Sequence, residues 1–123
     1  MATLLCIDDE LAILEVRKML LEQLGYEVLT AADGTAGLDL FRGKQVDAVL
    51  LDYQMPGMKG DEVARQMRLL DSSVPIILVT GFLTLEDSQI CDVDAFVTKG
   101  QSPEVLLSTI RQVLWRRTRQ AAA

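Results

Sequence analysis

The chain has 123 residues, half of them hydrophobic but only 5% aromatic, and a formal charge of −6. That length suits one domain with an aliphatic core, and the negative charge argues against nucleic acid as a direct partner. Histidine is absent, which excludes Ser-His-Asp and Cys-His catalysis, every histidine-based metal site and a phosphohistidine carried by the chain itself.

The elements follow in chain order. Leu4–Ile7 is a short apolar run and reads as a first strand. Asp8, Asp9 and Glu10 cut it off too early for a signal peptide, and no apolar run is long enough to cross a membrane. Cys6 and Cys91 form no close-spaced motif and read as reduced thiols; with no membrane segment, this gives a cytoplasmic expectation. Ile13, Val16, Leu20 and Leu24 make an apolar stripe at helical spacing, opposed by Glu15, Lys18 and Glu22, and Gly25 stops that helix. Glu27–Thr30 is the second strand. Asp33 is placed to N-cap a second helix carrying Leu38 and Phe41. Ala48–Leu51 is the third strand, and Val63, Met67 and Leu70 mark a third helix. Ile76–Val79 and Ala95–Val97 are the fourth and fifth strands. Ser102 and Pro103 open the last helix as N-cap and first helical residue, with the stripe Leu106, Ile110 and Val113.

Three of the strands are continuously apolar, as strands covered on both faces are. About five alternations of strand and helix give a parallel α/β sheet with helices on both sides. Residues 1–120 form the domain; 121–123 are expected to be a disordered tail or a cloning scar.

In such a sheet function collects at the carboxyl ends of the strands. Asp8, Asp9 and Glu10 stand after the first strand, Asp52 after the third, Thr80 at the end of the fourth, and Thr98 and Lys99 at the end of the fifth. Three carboxylates in one small space oppose each other's ionisation. A hard divalent cation such as Mg²⁺, with carboxylate, carbonyl and water ligands, removes that conflict. Lys99 adds a positive charge and Thr80 a hydroxyl. A cation, an ammonium and a hydroxyl around one carboxylate suit phosphoryl transfer onto that carboxylate. Taken singly, each residue has a bland reading: a helix-terminal acid, a turn residue, a solvated lysine. The combination at successive strand ends is the signal.

Four stretches carry a family resemblance: Ile7-Asp8-Asp9-Glu10, Leu50 through Gly60 with its Asp-Tyr-Gln-Met-Pro-Gly core, Val79-Thr80-Gly81, and Phe96-Val97-Thr98-Lys99. Over nearly its whole length the chain resembles the receiver domains of two-component response regulators. The resemblance implies a flavodoxin-like (βα)5 doubly wound fold, a five-stranded parallel sheet of order 2-1-3-4-5. It implies Asp52 as phosphoacceptor, Asp9 as a direct Mg²⁺ ligand, Asp8 as a ligand through water, and Gln54 as donor of a backbone carbonyl to the metal. Lys99 would pair with the phosphoryl oxygens, Thr80 would move to hydrogen-bond them, and Phe96 would turn inward with it. The implied partner is a sensor histidine kinase or a histidine phosphotransfer protein, with no turnover of an outside substrate. Gln54 and Phe82 would flank the acyl phosphate and set its rate of hydrolysis.

The chain departs from the family pattern in places. Gly100 follows Lys99 where proline is common. The stretch from Thr80 to Lys99 is short, with Glu86, Asp87 and Ser88 and few apolar anchors, so the fourth helix should be short or irregular. Phe96 lacks a hydroxyl often found at the switch position. Trp115 lies off the last helix's apolar stripe, as an exposed edge or a contact for a partner or a second copy of the chain in a homodimer. Arg111, Arg116, Arg117 and Arg119 make a solvated face or a binding stripe. Other classes fit worse. A flavodoxin-like cofactor binder would want phosphate-friendly residues after the first strand, where Asp8, Asp9 and Glu10 stand. A haloacid-dehalogenase-type phosphatase would want a second Asp where Gln54 is. The alternative that stays open is a receiver-like module that binds partners without phosphorylation.

Overall fold

The computed structural model describes residues 1–81 and 91–122. The short or irregular fourth helix and Phe82 lie outside the described residues. The elements are β1 (Thr3–Ile7), α1 (Leu11–Gln23), β2 (Glu27–Ala31), α2 (Gly34–Gly43), β3 (Ala48–Asp52), α3 (Gly60–Leu70), β4 (Ile76–Thr80), β5 (Ala95–Thr98) and α4 (Pro103–Ala122). The strands form one sheet in the order β2-β1-β3-β4-β5, all parallel. Order and direction are those implied by the family resemblance.

Side chains alternate across each strand, and both faces of this sheet are covered. Leu5, Ile7, Val49, Leu51, Ile76 and Leu78 pack with Leu38 and Phe41 of α2 and Val63 and Met67 of α3. Leu4, Cys6, Leu50, Ile77, Val79 and Val97 pack with Leu14 and Leu21 of α1 and Ile110 and Val113 of α4. This is why the central strands read as continuous apolar runs rather than alternating ones.

The helix ends follow local chemistry. Asp33 caps α2 as expected, its Oδ1 accepting the Ala36 N–H at 2.8 Å. Gly25 takes φ +95° just beyond α1, a left-handed turn that glycine adopts without a Cβ penalty. The last helix begins at Pro103. The Lys99–Gly100 peptide is trans.

Two helix faces differ from the sequence reading. The stripe Ile13, Val16, Leu20 and Leu24 is not the buried side of α1: Leu14 and Leu21 are buried, while Val16 is 66% and Leu24 52% exposed. The helix is apolar at most positions, so several stripes satisfy the helical period and the period cannot choose among them. The face that docks is the one that also carries Arg17 toward the sheet. In α3, Val63, Ala64 and Met67 are buried, but Leu70, at the helix end, is 46% exposed. One of the four arginines of α4 is structural: Arg117 donates to the carbonyls of Val46 and Asp47 at 3.0 and 2.8 Å, tying α4 to the loop before β3. Trp115 is exposed, with the Arg119 guanidinium 5.7 Å from its ring centroid.

The corrected face of α1 has a measurable consequence. Leu21→Ala should cost about 2–5 kcal/mol in urea unfolding, whereas Val16→Ala should stay within about 0.5 kcal/mol. Equal losses would return Val16 to the core.

Candidate functional site

Each site residue is fixed by the backbone at a strand end. The Asp8 N–H donates to the Ala31 carbonyl at 3.1 Å, the Tyr53 N–H to Val79 at 3.2 Å, and the Lys99 N–H to Thr80 at 2.7 Å. These bonds extend the sheet ladder by a residue, so Asp8, Asp52, Thr80 and Lys99 meet at one sheet edge. Gly60 sits at the start of α3 against the end of β3. A Cβ there would lie 2.6 Å from the Asp52 carbonyl oxygen and 2.7 Å from the Tyr53 Cα. Glycine thus lets α3 approach the residue after which the loop turns away.

Asp8, Asp52 and Thr80 are buried, at 0%, 1% and 1% exposure. Carboxylate oxygens of Asp8, Asp9 and Asp52 all lie within 4.8 Å of one another. Asp9 is exposed and, with Glu10, Asp52, Gln54, Met55, Lys59 and Lys99, lines an open cleft of about 550 Å³. The Lys99 ammonium reaches three acids: Asp52 Oδ1 at 3.3 Å, Asp8 Oδ2 at 3.4 Å and Glu10 Oε1 at 3.6 Å. Asp8 Oδ1 accepts the Glu10 N–H at 3.0 Å.

The electrostatics follow from crowding. Burial, then the Asp8 charge, raises the Asp52 carboxyl from 3.8 to about 6, with Lys99 pulling the other way. Burial pulls the Lys99 ammonium down, but Asp52 and Asp8 more than offset this and its pKa is raised. Cys6, one strand position before Ile7, is pushed up to about 12 by burial and stays a neutral thiol; Cys91 is exposed and not bonded to it.

A hard divalent cation fits this donor set. Asp8 Oδ2 and both Asp52 oxygens are buried without a well-aligned hydrogen bond among the described residues, and the Lys99 ion pair offsets the charge of Asp8 Oδ2 and Asp52 Oδ1 only in part. Unsatisfied buried carboxylate oxygens are costly, and all-oxygen donors are those Mg²⁺ takes.

Of the residues singled out in the sequence, Asp8, Asp9, Asp52 and Lys99 converge. Gln54 borders the same cleft. Thr80 pairs in register with Thr98 at the sheet edge. Phe96 lies on β5 with 42% of its surface exposed. Glu10 was expected at this strand end but without a role, and Arg17 escaped the sequence reading. Glu10 joins the Lys99 cluster. Arg17 reaches Asp8 Oδ2 with its Nη1 at 3.9 Å from α1. A charged residue at the buried spacing of Leu14 and Leu21 was the available signal.

The family model of the response regulator receiver domain matches residues 4–111. The chain belongs to this family. Among relatives of this receiver domain is the sensory transduction protein RegX3 of Mycobacterium tuberculosis, 38% identical over 123 residues, covering 94% of this chain and 52% of that protein. The chain spans about half the length of the curated relatives it matches. A CheY-like response regulator receiver domain protein from Methanospirillum hungatei superposes with a TM-score of 0.93 at 31% identity, covering 98% of each chain. The response regulator TrrA of Thermotoga maritima, solved with Mg²⁺ and BeF, gives a TM-score of 0.87 at 33% identity over 92% of this receiver and 99% of that chain. TrrA has also been solved in complex with the histidine kinase ThkA. Among the described residues, no helix of this receiver domain is long and apolar enough to cross a membrane.

The raised Asp52 pKa makes a stability prediction. Its folded value of about 6 lies above the unfolded one, so the folded protein holds more protons between the two. Stability therefore falls as pH rises from about 4 to 6, and the cost persists above that window, at up to about 3 kcal/mol. In chelator, Asp52→Asn should be more stable than wild type at pH 7 by about 1–3 kcal/mol, and the gap should close near pH 4. Urea unfolding at both pH values checks this; an Asn variant less stable at pH 7 would contradict it.

Proposed function

We propose that this receiver domain is a phosphoacceptor switch of two-component signalling that takes a phosphoryl group onto Asp52. The observation that carries the reading is the set of three carboxylates within 4.8 Å, of which the two buried ones, Asp8 and Asp52, are bridged by Lys99. Asp8, Asp9 and Asp52 would hold Mg²⁺ with the Gln54 backbone carbonyl. When bound, Mg²⁺ supplies neutralisation of charge on the transferring oxygens.

The chain's own residues divide the remaining work. An Asp52 oxygen attacks phosphorus, forming a P–O bond as the P–N bond of a donor phosphohistidine breaks and the imidazole leaves. That donor belongs to a histidine kinase or phosphotransfer protein, since this chain has no histidine; the TrrA–ThkA complex supports a kinase partner. Lys99, held between Asp52 and Asp8, pairs with the phosphoryl oxygens. The added charge and acceptor oxygens at Asp52 favour a state in which Thr80 hydrogen-bonds the phosphoryl group and the exposed Phe96 turns inward. The output surface then includes β5 and α4. Water attack on the acyl phosphate ends the signal, with Gln54 at the cleft tuning the rate. The chain turns over no outside substrate in this scheme. Residues 1–120 constitute the functional domain, acting in the cytoplasm.

Incubation with acetyl phosphate and Mg²⁺ should add one phosphoryl group to the intact mass. The addition should disappear in chelator and in Asp52→Asn. An unmodified wild-type mass would leave the phosphorylation-independent binding module as the better reading.

A further inference from the structure

Arg17 lies between Leu14 and Leu21 on the sheet-facing side of α1, with only 10% of its side chain exposed. A buried guanidinium is costly unless it meets a counter-charge, and among the described residues the carboxylate it reaches is Asp8, at 3.9 Å from Nη1 to Oδ2. The Arg17 nitrogen is shielded from solvent and lacks a hydrogen-bond partner among the described residues, and 3.9 Å is too long for a hydrogen bond to Asp8. The contact is therefore through-space charge pairing. The guanidinium charge is also felt by the neighbouring Cys6 thiol, on the strand leading to Asp8.

Asp8 is thus held from three sides. Oδ1 takes the Glu10 N–H. Oδ2 faces Lys99 from the β5 side at 3.4 Å and Arg17 from the α1 side at 3.9 Å. Lys99 is shared with Asp52 and Glu10, and a phosphoryl group would draw it away. Arg17 has Asp8 alone, and no other acid lies within ion-pair reach among the described residues. Its stem lines the groove between α1 and α4, beside Ile13, Val16, Leu20 and Leu106, which fixes the head group in place.

We propose that Arg17 is a positioning residue of the acidic site: a fixed cation beneath Asp8 that holds this carboxylate in the metal-free protein and sets a ceiling on affinity for divalent cations. The inference rests on the phosphoacceptor reading only in taking Asp8, Asp9 and Asp52 as the metal site. Three carboxylates with one cation would bind a divalent ion strongly. A second, permanent cation lowers the net charge that the ion meets, so metal occupancy becomes responsive to conditions rather than constant. It also lets the metal-free domain tolerate its crowded carboxylates.

The test is Mg²⁺ binding by isothermal titration calorimetry on the unphosphorylated chain at low ionic strength. Arg17→Met and Arg17→Gln should bind Mg²⁺ roughly tenfold tighter than wild type, the scale of one removed unit charge at this range in a protein interior. Arg17→Lys, which keeps the charge, should stay within about threefold of wild type. A residue that merely fills space would give unchanged affinity in the neutral variants, and that result, or equal tightening in Arg17→Lys, would overturn the proposal. Should a neutral variant be unfolded without metal, Mg²⁺ should restore its circular dichroism; failure to restore it counts against the proposal. A wild-type chain that binds no Mg²⁺ would instead refute the metal site itself, a distinct outcome.

Discussion

Mutual repulsion among Asp8, Asp9 and Asp52, whose oxygens approach within 4.8 Å, is the constraint around which this molecule is arranged. Like charges at that range disfavour joint ionisation strongly once water is excluded, and Asp8 and Asp52 are both buried. The fold forces the encounter because β1 and β3 are neighbours in a parallel sheet and end side by side. Lys99, from the far strand β5, arrives at the same edge and offsets part of the repulsion. Under the proposed function, the remaining negative charge is what would draw a cation and, through it, a phosphoryl group into the cleft. The crowded, buried carboxylates cost stability locally.

The surrounding structure holds that conflict in place. Two apolar layers grip the sheet from both sides, so the strand ends cannot splay to relieve it. Gly60 lets α3 sit hard against the end of β3. Arg117 clasps α4 to the loop before β3, and Arg68 of α3 donates to the carbonyls of Asp92 and Val74, bracing the entries to β4 and β5. A firmly packed frame around the crowded carboxylates is what the proposed switch would need for a change of charge at Asp52 to be felt at a distance.

The parts legible in the sequence are those set by chain-local chemistry. Buried parallel strands show as short apolar runs, and their ends are marked by the polar residue that follows, so Asp8, Asp52, Thr80 and Lys99 could be found before any coordinates. Asp33 was visible as a cap for the same reason. The face of α1 was not legible. Leu11, Ile13, Leu14, Val16, Met19, Leu20 and Leu21 offer more apolar positions than one face can bury, and the choice is made by how the helix docks. Arg17 was missed with it, because a basic residue on an amphipathic helix ordinarily faces water. Leu70 fell on a helix end, where periodicity weakens. Phe96 was placed on β5 correctly, but the switch role proposed for it would depend on a second state that a single sequence does not encode.

The central claim is that the clustered carboxylates form one metal-responsive site. It is tested most directly by following backbone amide resonances of the unphosphorylated chain during a Mg²⁺ titration. Amides of Asp8, Asp9, Glu10, Asp52, Tyr53, Gln54 and Lys99 should shift together in one saturable process that Asp52→Asn weakens. Shifts absent from these strand ends, or scattered over the surface without saturation, would contradict the account.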